Sequence, residues 1–269
     1  MYARAVVALT TALLGLAAFL LPGSDARAGD VGAPPLVFGH RGASAYAPEN
    51  TLASIDEAAR LGVRWVENDV QRTKDGELVV IHDDSLPRTT DVKQVFPQRS
   101  PWKVKDFTAA EIARLDAGSW YGPRFTGTRV PTLDQYMREV EHNRQSLLLE
   151  IKNPELYPGI EGQILKLLAN EGWLDQRHLH GRLIVQSFSA DSLRIVHDLK
   201  PAIRTAFLGT PTMAHLPELA TFTDGINPSF GSISTGYVSA VHAFKGPPGK
   251  PLSVFTWTVD DAPTARRAV

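Results

Sequence analysis

Residues 65–84 read WVENDVQRTKDGELVVIHDD, and the shape of the whole chain turns on them. Trp65 to Val70 and Leu78 to His82 are two apolar-rich strand candidates, with Thr73-Lys74-Asp75-Gly76-Glu77 between them. A parallel crossover needs a dozen residues or more, and Asp75-Gly76 is a hairpin turn signal. These two strands are therefore expected to pair antiparallel, which places His82 beside Asp69. Outward from this hairpin the pattern changes. Leu36-Val37-Phe38 reads as a first strand, and Leu147 to Ile151, Leu183 to Val185 and Thr205 to Leu208 as later ones. Gly225 to Asn227 and Leu252 to Phe255 are weaker candidates. Helical spacing separates them: Thr51 to Leu61 with Asn50 as N-cap and Gly62 as stop, Leu133 to Val140 capped by Thr132, Ile160 to Leu168, and Ser192 to Leu199 with Ser189 as cap.

Apolar strands alternating with helices imply a parallel sheet covered on both faces. With one antiparallel hairpin inserted, the expected class is α/β, an irregular (β/α)8 TIM-type barrel over residues 36–269. A length of 269 residues suits one such barrel. The stretch 84–131 is long and rich in Pro and Gly, with one short helical pattern at Ala109 to Leu115. Inserted after the third strand, a stretch that long is expected to be a lid or a small subdomain, lying outside the barrel over its C-terminal rim. Ahead of the barrel, Arg4, the apolar run Ala5 to Leu21 and Ala26-Arg27-Ala28 form the three parts of a signal peptide at 1–28. Residues 29–35 (GDVGAPP) form a linker. The chain is thus expected to be secreted, to an extracellular or periplasmic space, with no transmembrane segment after cleavage. The absence of cysteine excludes disulfides, a thiolate nucleophile and zinc–thiolate sites. A net charge of −1 offers no electrostatic reason to expect nucleic acid as a partner.

The unusual polar residues gather at strand ends. His40-Arg41-Gly42 follows the first strand, Glu67 and Asp69 end the second, His82-Asp83 the third, and Glu150 and Lys152 the fourth. In a parallel barrel the C-terminal strand ends form the rim where chemistry occurs. Glu67 and Asp69 are two apart, as are Glu150 and Lys152, so each pair shares one side of its strand. Three carboxylates can hold a hard divalent cation, Ca²⁺ or Mg²⁺. Two histidines, His40 and His82, can act as general acid and base. Arg41 and Lys152 can hold a phosphoryl group. Together they suit in-line attack on a phosphodiester, where charge on the equatorial oxygens must be neutralised.

GHRGASAYAPENTLASI at 39–55, VENDVQRTKDGELVVIHDDSLPRTTD at 66–91 and LLLEIK at 147–152 resemble the signature blocks of the glycerophosphodiester phosphodiesterase family, within the phospholipase C-like TIM-barrel superfamily. DAGSW, RVPTLDQ and the late FTWTVD resemble it too, in the same order. The resemblance implies that Glu67, Asp69 and Glu150 bind one divalent cation; the expected export, to where Ca²⁺ is abundant, favours Ca²⁺ slightly over Mg²⁺. It implies that His40 and His82 are the acid/base pair, that Arg41 and Lys152 contact phosphate, and that Trp257 lies near the mouth of the site. The substrate it implies is a small glycerophosphodiester, cleaved to glycerol 3-phosphate and an alcohol. In the family a last strand with a Gly-Ile-x-Thr-Asp pattern follows the helix after Trp-Thr-Val. Here that helix is reached at Val269, so the seam between the first and last strands is expected to stand open.

Blander readings apply to neighbours. Glu49 reads equally as a helix-start carboxylate or as a partner of Arg41, Asn68 should face away from Glu67 and Asp69, and Asp83 and Asp84 read as turn residues. Phe188 is a weaker candidate beside Trp257. His142, His178, His180, His197, His215 and His242 carry no assigned role. Two rival functions share these residues: a phospholipase D-like or phosphoinositide-cleaving enzyme on the same barrel, and a non-catalytic binding protein. The second has no use for two acid/base histidines.

Overall fold

The structure, a computed structural model, describes residues 35–268. The expected signal peptide and the linker up to residue 34 lie outside the described residues. The strands are β1 (Phe38–Gly39), β2 (Trp65–Arg72), β3 (Leu78–Val80), β4 (Ser146–Ile151), β5 (Leu183–Ser187), β6 (Arg204–Leu208), β7 (Gly225–Asn227) and β8 (Ser253–Val254). The α-helices are α1 (Leu52–Arg60), α2 (Val92–Val95), α3 (Ala109–Ile112), α4 (Leu133–His142), α5 (Ile160–Asn170), α6 (Gln176–Gly181), α7 (Ala190–Leu199), α8 (Leu216–Leu219), α9 (Thr235–His242) and α10 (Ala262–Arg267). Among the described residues no helix is long and apolar enough to cross a membrane.

Seven strands form one curled parallel sheet in the order β1-β2-β4-β5-β6-β7-β8, with β3 attached antiparallel to β2 off that path. This is an irregular TIM-type barrel. No ladder joins β8 back to β1. The Phe38 and Phe255 rings meet there instead, with centroids 4.9 Å apart.

Alternation along the strands makes two layers. Val66, Val70, Leu147, Leu149, Ile151, Leu183, Val185 and Ile226 face the helices and join Ile55, Tyr136, Met137, Ile164 and Leu193 in the main core. The opposite face begins with an apolar floor of Trp65, Leu148, Ile184 and Ala206, closed by Phe38 and Phe255. One step nearer the C-terminal strand ends the same side carries Glu67, Asp69, Glu150 and Gln186, all buried. The polar layer thus rests on a hydrophobic one.

Helices form where caps and apolar spacing agree. In α1 the Thr51 and Ser54 side chains make a capping box, and Ile55 and Ala58 are buried. In α4 Thr132 and Gln135 do the same, and Leu133, Tyr136, Met137 and Val140 are buried. Ser189 caps α7. Thr51 rather than Asn50 caps α1, because Asn50 sits at φ +58° and gives its side chain to Asp69.

Two further expectations are corrected. The first strand begins at Phe38, which pairs with Trp65; β2 has no earlier residue to partner Leu36 or Val37, and both stay exposed. The hairpin closes on the pair Arg72 and Leu78, so Asp69 stands opposite Ile81, whose N–H donates to its carbonyl at 2.9 Å. His82 therefore falls one residue past Asp69.

Residues 84–131 build a second core. Leu86, Val92, Val104, Phe107, Ile112, Leu115, Ala117 and Val130 pack on Val79 and Ile81, the β3 side turned away from the main core. The segment reaches the loop after β1 at two points: Arg88 bonds Glu49, and Arg124 donates to the Tyr46 carbonyl at 2.6 Å.

Candidate active site

The loop after β1 is forced into its path by backbone geometry. Arg41 (φ +60°) and Gly42 (φ +81°) turn the chain back so that the Gly42 N–H bonds the Gly39 carbonyl at 3.0 Å. A Cβ on Gly42 would collide with Ser54 of α1, so only glycine fits. The turn aims the Arg41 N–H at Glu67 Oε2, 2.8 Å away. The Arg41 side chain donates from Nη1 to Glu49 Oε1 at 2.9 Å, and its Nε lies 3.6 Å from Asp69 Oδ2. Glu49 is thus a partner of Arg41, not only a helix-start charge.

Parallel pairing brings the three carboxylates together. Asp69 is level with Glu150 in the β2–β4 ladder, and Glu67 is one pleat below. Glu67, Asp69 and Glu150 each offer an oxygen within 4.8 Å of the others, and all are buried. Burial, then the charges of Asp69 and Glu150, push the Glu67 pKa well above the usual carboxylate range. Burial and Asp69 raise Glu150 to about 7, although Lys152 pulls the other way. Burial disfavours the charged Lys152 ammonium, but Glu150 and Asp69 outweigh it and raise its pKa. Lys152 Nζ donates to Glu150 Oε1 at 2.9 Å and stands 3.5 Å from Asp69 Oδ1. That Asp69 oxygen is buried and accepts no hydrogen bond. Crowded, repelling hard oxygens with one acceptor unused fit a divalent cation.

Both histidines stand at this rim. Burial and the neighbouring Arg41 charge push His40 down to about 4, so its imidazole is neutral near pH 7. His82 is close enough for its charge to contribute to that shift. His82 Nδ1 lies 2.7 Å from Asp83 Oδ1. Burial alone would raise the Asp83 pKa, yet hydrogen bonds from Arg88 and His82 hold it at about 2. Asp83 therefore does more than shape a turn. The backbone carrying His82 is pinned from beneath by Gln71, whose Nε2 donates to the carbonyls of Ile81, His82 and Asp83 at 2.8, 3.1 and 2.7 Å.

Phe188 and Trp257 meet edge to face at 5.8 Å, and Lys152 Nζ lies 5.6 Å from the Phe188 ring centre. Trp257 Nε1 donates to the Asn227 carbonyl at 2.8 Å. The expected site residues therefore share one rim. Three others were missed in the sequence. Asn50 donates to Asp69 Oδ2 at 2.8 Å. Gln186 Nε2 lies 3.4 Å from Glu67 Oε1, and Asn227 Nδ2 donates to Gln186 Oε1 at 2.9 Å. Asn227 ends β7, Gln186 and Glu150 each stand one residue before the ends of β5 and β4, and that shared position was the usable signal. His178 belongs elsewhere: it is buried between Asp175 and Glu141 and serves the structure.

A model of the glycerophosphoryl diester phosphodiesterase family matches residues 40–269. The chain belongs to that family. Membership makes it an enzyme of the phosphoric diester hydrolase class and accounts for the shared order of its motifs. A family relative, the glycerophosphodiester phosphodiesterase of Bacillus subtilis (strain 168), is 34% identical over 255 residues, covering 88% of this chain and 84% of its own. The one from Caldanaerobacter subterraneus subsp. tengcongensis is 40% identical over 174 residues, covering 64% of this chain and 66% of its own. Among solved structures, a phosphodiesterase of Oleispira antarctica in complex with the product sn-glycerol-3-phosphate superposes with a TM-score of 0.74 at 29% identity, covering 87% of this chain and 88% of that one.

Proposed function

We propose that the chain hydrolyses glycerophosphodiesters to glycerol 3-phosphate and an alcohol, outside the cytoplasm, with a divalent cation held by Glu67, Asp69 and Glu150. The observation that carries this reading is the buried carboxylate triad flanked by His40, His82, Arg41 and Lys152. Bound there, Ca²⁺ or Mg²⁺ would supply Lewis-acid neutralisation of the phosphoryl charge. Ca²⁺ is favoured because it tolerates irregular oxygen cages. The residues supply the rest. Arg41 offers a planar fork and Lys152 a point charge to the non-bridging oxygens. His40, neutral at working pH, takes the proton from the nucleophile. His82, held through Nδ1 by Asp83, gives one to the leaving alkoxide from Nε2. Phe188 and Trp257 give the organic part of the substrate an apolar wall.

The test is release of glycerol 3-phosphate from glycerophosphocholine by residues 29–269, with Ca²⁺, with Mg²⁺ and in chelator. Turnover is expected only with a cation. His40→Ala and His82→Ala should retain cation binding and lose about 10²–10⁴ in kcat, the usual contribution of positioned proton transfer. Undiminished activity in excess chelator, or in the His82→Ala protein, refutes the mechanism. Phosphorus NMR of the early products identifies the nucleophile: a cyclic phosphate marks the neighbouring glycerol hydroxyl, and its absence marks water.

A further inference from the structure

The acid/base reading leaves the side chain of Arg88 unused, yet its guanidinium forks onto two carboxylates at once. Nε donates to Asp83 Oδ2 at 2.6 Å and Nη2 to Asp83 Oδ1 at 3.0 Å. Nη1 donates to Glu49 Oε2 at 2.9 Å and Nη2 to Glu49 Oε1 at 2.7 Å. Each carboxylate then holds a residue of the rim. Asp83 Oδ1 meets His82 Nδ1 at 2.7 Å, and Glu49 Oε1 accepts from Arg41 Nη1 at 2.9 Å. One side chain from the start of the 84–131 segment thus links the loop after β1 to the loop after β3.

Charge and shape both favour arginine at this point. Asp83 and Glu49 are both ionised, and without a cation between them they would repel. Burial raises the Glu49 pKa, but Arg88 and Arg41 outweigh it and hold it below the usual range. A planar guanidinium can pair with two carboxylates by parallel bonds, which a lysine ammonium cannot do. The Arg88 side chain is 43% exposed, so the pairs add little to fold stability. What they give is orientation: with Asp83 fixed on Nδ1, the His82 Nε2 is left as the atom that exchanges a proton.

We propose that Arg88 is a positioning residue: by clamping Asp83 and Glu49 together it sets the ring orientation of His82 and the direction of the Arg41 fork. Arg88 acts through Asp83 and Glu49, and its role rests on the acid/base reading above. The same network makes the 84–131 segment part of the catalytic apparatus.

The experiment compares wild type, Arg88→Ala and Arg88→Lys by kinetics on glycerophosphocholine and by nitrogen-15 NMR of the His82 ring. Arg88→Ala should lower kcat by about 10–100-fold, the scale of a misplaced reacting group, with kcat carrying most of the loss and thermal stability nearly unchanged. Arg88→Lys should recover little, and millimolar guanidinium should restore part of the Arg88→Ala activity. At a pH high enough to leave the His82 ring neutral, wild type should show a single tautomer with hydrogen on Nδ1, and Arg88→Ala should average between tautomers. Wild-type kcat in Arg88→Ala overturns the proposal, as does a kcat loss that follows unfolding and resists guanidinium. The NMR arm needs no turnover. A wild type inactive on glycerophosphodiesters sinks the functional reading alone, while an unchanged His82 tautomer in Arg88→Ala sinks the clamp whatever the activity.

Discussion

The two sides of the curled sheet are built to different standards. β2 and β4 share six paired residues, from Trp65 with Ser146 to Val70 with Ile151. β7 and β8 share two, β1 and β2 share two, and nothing pairs β8 with β1. The charged machinery is concentrated on the thick side, where Glu67, Asp69, Glu150 and Lys152 sit. The thin side contributes His40 and Arg41 after β1, Trp257 and the Phe38–Phe255 contact. Three repelling carboxylates must be held within 4.8 Å, and a long ladder fixes register to that tolerance. An apolar wall needs only rough placement, so short strands suffice for it.

The largest expected effect breaks the thick side. Glu67→Ala, Asp69→Ala or Glu150→Ala should abolish both calcium binding, read by calorimetry, and turnover. A variant that keeps full activity without binding the ion would detach the triad from the chemistry.

Stability sharpens the contrast next. Leu149, fully buried in the β2–β4 wall, should cost about 2–5 kcal/mol on change to alanine. Phe255 at the seam is only partly buried, so Phe255→Ala should cost about 1–2 kcal/mol. Urea unfolding measures both, and equal losses would mean that the seam is as well built as the wall.

A pH effect should appear only when the cation is withdrawn. The folded pKa of Glu150, about 7, lies above its ordinary value of 4.5, so the fold favours the protonated form. Its contribution to stability is fully present below about pH 4.5 and is lost as pH rises through 7. In chelator the melting temperature should therefore fall over that window, beyond any fall seen with Ca²⁺ present. Parallel curves with and without the ion would show that repulsion among the carboxylates does not govern the site.

The smallest effect belongs to the aromatic wall. Phe188→Ala removes one half-exposed ring, worth on the order of 1 kcal/mol, so KM should rise about fivefold, with kcat nearly constant. A kcat loss as large as that of His82→Ala would move Phe188 from the wall into the reaction.

The strand ends, the hairpin and the two carboxylates on β2 were readable in the sequence because each depends on local spacing. Period-two alternation puts Glu67 and Asp69 on one side whatever the rest of the chain does, and Asp75-Gly76 allows no crossover. The helices α4 and α7 declared their caps, Thr132 and Ser189, for the same local reason. The cap of α1 misled because Asn50 serves two contexts: its local preference is for a cap, and Asp69, nineteen residues on, claims its amide.

The chain alone therefore determined the alternation of strands and helices, the family motifs, and which residue types meet at the rim. Only the folded structure decided the partners. Whether Asp83 shapes a turn or holds His82, whether Glu49 faces Arg41, and that Arg88 joins them depend on contacts between segments up to 39 residues apart. The same holds for Gln186 and Asn227, whose amides meet across 41 residues. Alternation and capping act over a few residues, so sequence records them. Ion pairs between loops depend on the path of the intervening chain, and the tertiary packing sets that path.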